Sequence, residues 1–203
     1  MYLNKEIEFK SFISEDNYNS WLKEFWLENN IFKQINHYFD TDDEILLKDM
    51  IVLRIREKGN NFKLTKKTRG ETGNDETHIL LTKEKAQELL NNGFNADIIG
   101  LPYDVKLKAE LTTYRCSTPY RNGTIFLDRS EYYGHVDYEI EFEVDDLDQG
   151  KQDFYRFLEK HNIPYKESIK KSKRAFDNRP KKKIRETWFF KLKIYFNKYI
   201  IVL

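Results

Sequence analysis

A single cysteine, Cys116, stands in 203 residues. The chain can therefore form no internal disulfide and build no cysteine-ligated zinc site. Only four prolines and eight glycines occur, and no proline- or glycine-rich linker, low-complexity tract or internal repeat interrupts the sequence. The four histidines, His37, His78, His135 and His161, lack metal-ligand spacing and read as structural or exposed. Net charge is nearly absent: 35 Lys+Arg against 34 Asp+Glu leaves +1. That balance excludes a protein held on nucleic acid by bulk charge. Near Met1 there is no apolar run, because Lys5, Glu6, Glu8 and Lys10 break every stretch. No signal peptide is read there, and a cytoplasmic protein is expected.

What is present is enough for one folded domain with an appendage: 39% apolar residues, 15% aromatic and 34% charged. Leu3 to Phe12 alternates, with Ile7 and Phe9 on one face and Glu6, Glu8 and Lys10 on the other, which predicts a strand. Ser14 is placed as an N-cap for a helix to about Glu28, with Tyr18, Trp21, Leu22, Phe25 and Trp26 at helical spacing. Strands are expected over Ile35 to Asp40 and Met50 to Glu57. The latter turns at Gly59-Asn60 into Phe62 to Thr68. After a glycine-containing loop come a strand from Glu76 to Leu81 and a helix from Thr82 that stops near Gly93. Val105 to Tyr120, Thr124 to Arg129 and Val136 to Val144 read as further strands. Helical spacing returns at Phe154, Phe157 and Leu158 and again across Glu167 to Phe176. About eight strands in hairpin-linked succession with helices around them predict an α+β protein whose antiparallel sheet closes on itself.

The informative feature is where the charge lies on those strands. Glu6, Glu8 and Lys10 share a face, as do Arg54 and Arg56, Lys63, Thr65 and Lys67, and Glu139, Glu141 and Glu143. Any one of these is an ordinary solvated face. As a set they are not, because like charges two residues apart sit ~7 Å from each other and repel unless something of opposite sign lies between them. Acid pairs on some strands and base pairs on others point to one shared ligand, with divalent cations for the carboxylates and a polyanion for the bases.

Glu6-Ile7-Glu8-Phe9-Lys10 at the N-terminus, Tyr38-Phe39-Asp40-Thr41, Leu53-Arg54-Ile55-Arg56, Leu64-Thr65-Lys66-Lys67, Glu76, Leu127-Asp128 and Tyr138-Glu139-Ile140-Glu141-Phe142-Glu143 follow one another in order. Together they resemble the CYTH superfamily, the triphosphate tunnel metalloenzymes, and most closely its small bacterial branch. The resemblance covers residues 1–177 and implies a closed antiparallel eight-stranded β-barrel with peripheral helices and a charged lumen. It implies hydrolysis of a triphosphate group, inorganic triphosphate or a short polyphosphate first, with Mg²⁺ or Mn²⁺. Carried over by position, Glu6, Glu8 and Glu141 would hold the principal metal ion. Glu139 and Asp128 would stand at a second or catalytic position, either one able to take a proton from the attacking water. Lys10, counted also with the catalytic groups, would clamp the phosphates together with Arg54, Arg56, Lys67, Arg115 and either Lys171 or Lys173.

Three registers stay open at this stage. Lys66 stands where the family pattern has an apolar residue, so either Lys66 or Lys67 could face the lumen. Arg115 shares parity with Leu111, which is expected to point outward, so a bulge would be needed to turn Arg115 inward. The basic run Lys170-Lys171-Ser172-Lys173-Arg174 allows several helical registers. Alternatives of another class are a polyphosphate or nucleotide sensor without turnover and an adenylyl cyclase. Retention of Glu6, Glu8, Asp128, Glu139 and Glu141 together favours the enzyme. Residues 178–203, with Pro180 at the boundary, form a basic, aromatic extension containing Trp188, Phe189, Phe190 and Tyr195. Two readings are even for it: a surface segment contacting an anionic membrane or a protein, or a helix packed on the barrel.

Overall fold

The computed structural model describes residues 1–25 and 27–180. Trp26 and the extension from 181 onward, with both readings of it, lie outside the described residues. Alternating sequence becomes strand where expected: β1 (Tyr2–Phe12), β2 (Phe32–Asp40), β3 (Val52–Lys58), β4 (Asn61–Arg69), β5 (Asn74–Leu81), β6 (Phe94–Asn95), β7 (Asp104–Tyr120), β8 (Gly123–Tyr132) and β9 (His135–Val144). All but the short β6 join in the order β2-β3-β4-β5-β1-β9-β8-β7, antiparallel throughout, and β7 pairs back onto β2 to close the barrel. The two residues of β6 extend the start of β7.

Because most of the lumen-facing parity is charged, the two larger hydrophobic clusters lie outside the barrel wall. Two helices, α1 (Glu15–Glu24) and α4 (Leu147–Lys160), bury Trp21, Phe154 and Phe157 against Cys116, Ile125, Leu127, Ile140 and Phe142 of β7 to β9. Ser14 caps α1 by accepting from the Asn17 amide at 3.1 Å. On the opposite flank α3 (Lys83–Asn92), capped by Thr82, buries Ala86 and Leu89 against Leu53, Ile55, Phe62 and Leu64. A short α2 (Ile45–Lys48) had no sequence signal. It exists because the Asp40 carboxylate accepts from the amides of Thr41 at 2.7 Å and of Leu46 and Leu47 at 2.9 Å each. Two helices are shorter than their periodicity suggests: α1 ends at Glu24, and α5 spans Lys171–Asn178 rather than starting at Glu167. The residues before α5 are extended instead, since β5 pairs only with Tyr2 to Glu6 of β1. At the far end of β1 the Phe12 amide donates to the Lys166 carbonyl (2.9 Å) and Ser11 bridges to Glu167.

α5 plugs one end of the barrel. Its Ala175 and Phe176 pack with Tyr38, Ala109, Leu111 and Tyr132 from the inner wall. This corrects the expected orientation of Leu111. It points inward to meet the plug, so Arg115, at the same parity, enters the lumen along a regular stretch of strand. The register shift in β7 lies elsewhere, opposite Tyr38 and Phe39.

Gly73, in the turn between β4 and β5, has φ +83°, and a Cβ there would sit 2.2 Å from the carbonyl oxygen of Glu6. Gly73→Ala should therefore cost at least about 2 kcal/mol, from the left-handed penalty of ~1–2 kcal/mol plus displacement of β1. Urea unfolding checks this; a variant as stable as the parent would contradict it.

Candidate active site

Period-two alternation brings the charged residues of seven strands into one lumen: Glu6, Glu8 and Lys10 from β1, Arg54 and Arg56 from β3, Lys63 and Lys67 from β4, Glu76 from β5, Arg115 from β7, Asp128 from β8, and Glu139, Glu141 and Glu143 from β9. Lys67 rather than Lys66 faces inward, opposite Glu76 and in contact with Glu6. Much of the cross-strand register pairs opposite signs: Lys10 with Glu141, Lys67 with Glu76, and Arg115 with Asp128. Three registers do not. Glu8 lies opposite Glu143, Arg56 opposite Lys63, and Asp128 opposite Glu139, where Lys171 from the plug answers both acids.

Toward the plug the acids are saturated. Arg115 grips Asp128 with both arms, at 2.7 and 2.6 Å, and also reaches Glu141. The Lys171 ammonium sits among three carboxylates, 2.7 Å from Asp128, 2.6 Å from Glu141 and touching Glu139. Arg174 bridges Glu139 and Asp137 at 2.7 Å each, and the Ser168 hydroxyl donates to Glu139. Burial pushes the Asp128 carboxyl up, but Arg115 and Lys171 overcome it and hold the group below the usual carboxylate range. Burial lifts Glu141 above that range despite Arg115. Asp128 is 0% exposed and Glu139 1%, and neither lines the open cavity. As arranged, the two groups expected to receive a proton from water are engaged by bases and shut away from it.

The open part of the tunnel is lined by Glu6, Glu8, Lys10, Arg54, Arg56 and Lys67, with Glu143, Lys170 and the inner faces of Arg115, Glu141 and Lys171. A neck of about 70 Å³ continues into a mouth of about 530 Å³ that also includes Lys63, Glu76 and His78. Lys10 donates to Glu8 at 2.7 Å, and Lys67 reaches Glu8 at 3.4 Å and Glu76 at 3.6 Å. Burial alone would raise Glu8, yet Lys10 and Lys67 keep it well below the ordinary range. Burial would lower Lys10, and Glu8 and Glu141 raise it instead.

The arginines are less well served. Arg56 donates Nε to Asn36 at 3.0 Å and, among the described residues, has no carboxylate in ion-pair contact. Burial next to Arg54 and Arg115 pushes it down to about 9. Burial with Arg56 and Arg54 likewise lowers Lys63. Arg54 meets Glu76 only at 3.9 Å, and its buried Nε has no partner. Burial also lifts Glu143 to about 7 despite Arg115, with Glu6 and Glu141 adding to the rise.

Of the two lysines left open on α5, the structure places Lys171 in the lumen. Lys173 is turned to solvent and pairs with Asp177 at 2.8 Å. The residues missing from the expected set are Glu143, Lys63, Glu76, Lys170 and Arg174. Parity with Glu139 and Glu141, and with Lys67, was the signal for the first two. His78 is buried in the lumen wall, 3.0 Å from the Thr65 hydroxyl and 3.2 Å from Glu76. His37, His135 and His161 lie outside the cavity lining.

The fold and this lumen can be set beside known proteins. The sequence profile of the CYTH domain matches residues 4–176. A curated Bacillus subtilis relative, named "Putative triphosphatase YjbK", is 33% identical over 183 residues, covering 87% of this chain and 96% of its own length. A crystal structure described as a putative adenylate cyclase from Bacillus halodurans superposes with a TM-score of 0.80 at 32% identity, over 87% of this chain and 100% of that one. The fold is also that of a Hippeastrum protein, described as a putative adenylyl cyclase with dominant triphosphatase activity (TM-score 0.68, 22% identity, 85% of this chain and 95% of that one). With a profile match along the barrel and plug and a relative this similar over nearly its whole length, the chain belongs to the CYTH family.

Proposed function

We propose that this protein is a metal-dependent triphosphatase acting on inorganic triphosphate or a short polyphosphate held in the tunnel. The observation that carries the reading is the two like-charge registers that face the open tunnel: Arg56 against Lys63, and Glu8 against Glu143. Buried like charges are costly unless matched. A polyanion satisfies the first and a divalent cation the second. Inside a lumen whose own acids and bases are closely matched, triphosphate together with a divalent cation adds far less net charge than triphosphate alone. The name of the Bacillus subtilis relative supports the same activity, while that of the Bacillus halodurans structure carries the alternative, an adenylate cyclase.

The carboxylate set fits such an ion. Hard divalent cations take oxygen donors, and the Asp128, Glu139 and Glu141 oxygens lie within 4.8 Å of one another around a position where Lys171 already places a cationic group. With Asp128 and Glu139 held by bases and closed to the cavity, Glu6, Glu8 and Glu141, which face it beside Glu143, would hold Mg²⁺ or Mn²⁺. The ion's chemistry there is to neutralise phosphate oxygens and orient an attacking water.

The chain's own bases do the rest. Arg54, Arg56, Lys10, Lys67 and Arg115 bind the equatorial oxygens and meet the charge that spreads over them as the bond breaks. Asp128 and Glu139 serve by holding Arg115, Lys171 and Arg174 in place. The water oxygen bonds to the terminal phosphorus, the bridging P–O bond breaks toward the diphosphate, and the water's proton leaves with the products.

Glu8→Gln should reduce Mg²⁺- or Mn²⁺-dependent phosphate release from triphosphate at least ~100-fold with the fold retained by circular dichroism. Near-normal turnover at low millimolar metal would refute the metal role. Arg56→Gln gives the opposite signature to a structural ion pair. Because its neighbours are bases, thermal stability should be unchanged or higher, while the KM for triphosphate rises about tenfold or more, as the loss of a ~1.5–3 kcal/mol charge-assisted contact requires. Loss of stability with an unchanged KM would show that Arg56 serves the fold and not the ligand.

A further inference from the structure

The near-zero net charge of the chain conceals a division. Residues 181–203 hold seven bases and one acid, a charge of +6, so residues 1–180 carry −5. The basic segment leaves the fold at an acidic place. α5 ends at Asn178, and Arg179 then pairs with Glu44 at the start of α2. Around Glu44, Asp42, Asp43 and Asp49 are exposed. Asp42 is answered by Lys106 and Lys108. Among the described residues, Asp43 and Asp49 have no base in ion-pair contact.

The same turn borders an apolar cavity of about 160 Å³, walled by Leu47, Met50, Ile51, Phe176 and the ring of Tyr38. The charged groups at its edge are engaged, Asp40 by the backbone amides that start α2 and Lys173 by Asp177. Met50, at the rim, is 59% exposed at φ +58°, a conformation that a bulky side chain rarely takes. Beyond Pro180 the chain runs Lys181, Lys182, Lys183 and Arg185, then Trp188, Phe189 and Phe190. A basic stretch followed by rings matches the two things the α2 turn offers, unanswered acids and an apolar cavity. The reach is ample, since the eight residues from Pro180 to Trp188 span up to roughly 26 Å when extended.

We infer that residues 181–203 dock on their own barrel at the α2 turn, with Lys181 to Arg185 against Asp43 and Asp49 and an aromatic side chain in the cavity between Met50 and Phe176. There a ring meets the rings of Phe176 and Tyr38 and the Met50 thioether. An anionic membrane would attract this segment but repel a body of opposite sign. A tethered segment instead meets its own barrel at an effective concentration on the order of mM. Tyr38, Val52, Lys170 and Ser172 line both this cavity and the neck of the tunnel. The docked segment therefore closes the tunnel on the plug side and leaves the mouth at Lys63, Glu76 and His78 as the way in. None of this depends on which phosphate compound the tunnel takes.

The chain has two methionines, Met1 and Met50, so methyl-labelled methionine gives two NMR signals from the full-length protein, one of them at the cavity rim. The Met50 methyl should show cross-relaxation to aromatic protons that is lost in Trp188→Ala/Phe189→Ala/Phe190→Ala, with a shift of its resonance and none of Met1. Lys181→Glu/Lys182→Glu/Lys183→Glu should release the segment and move Met50 the same way. Adding Asp43→Lys/Asp49→Lys to that variant should return Met50 to its parental position. A Met50 signal identical in the parent and the ring-free variant would overturn the docking, and failure of the charge swap to restore it would overturn the pairing with Asp43 and Asp49. A Met50 position that changes with protein concentration would assign the cavity to the segment of a second copy. Return of Met50 to the ring-free position when phosphatidylglycerol vesicles bind the parent would assign the segment to membranes. Either result also overturns the inference.

Discussion

Pairing of opposite charges across neighbouring strands, inside a ring of strands that has no edge, is the interaction on which the rest of this protein depends. Lys10 opposite Glu141, Lys67 opposite Glu76 and Arg115 opposite Asp128 allow a barrel to enclose charge that would otherwise cost several kcal/mol per ion to take from water. The rest of the architecture follows. Since the inner parity is charged, the apolar parity must face out, and it is buried only because α1 and α4 cover one flank and α3 the other. The hydrophobic core is thus a shell around a polar centre, the reverse of a small barrel filled with side chains.

The same constraint locates the site by its exceptions. Where bases answer the acids in full, as Arg115, Lys171 and Arg174 do at Asp128 and Glu139, the groups are buried and closed to the cavity. Where it fails, as at Arg56 and Lys63, buried bases push one another down and face the tunnel. A binding site for a highly charged ligand needs both conditions: a framework neutral enough to fold without it, and a small unmatched remainder aimed at it.

α5 links the two kinds of chemistry at the plugged end. One turn of it puts Lys171 among the carboxylates and Arg174 on Glu139, while Ala175 and Phe176 seal the inner wall against Leu111 and Tyr38. The helix therefore neutralises the acids, closes the lumen and supplies a wall of the apolar cavity beside it.

The strands, the charged face of each and most of the tunnel lining were legible in the sequence, because alternation in a strand is a local, period-two property. Glu6, Glu8, Lys10, Arg54, Arg56 and Lys67 could be placed on common faces from their spacing alone, and Ser14 and Thr82 named their helices. What each charged residue faces was not local. Asp128 and Glu139 carry the same parity signal as Glu141, yet they are closed off because Lys171 and Arg174 arrive from a helix more than thirty residues further along the chain. Whether Lys171 or Lys173 enters depended on the helical phase of α5. Leu111 turned inward because that helix gave it an apolar partner inside a charged lumen. Spacing along the chain determined which residues share a face; closure of the barrel and docking of the plug decided which of them meet one another and which are left for a ligand.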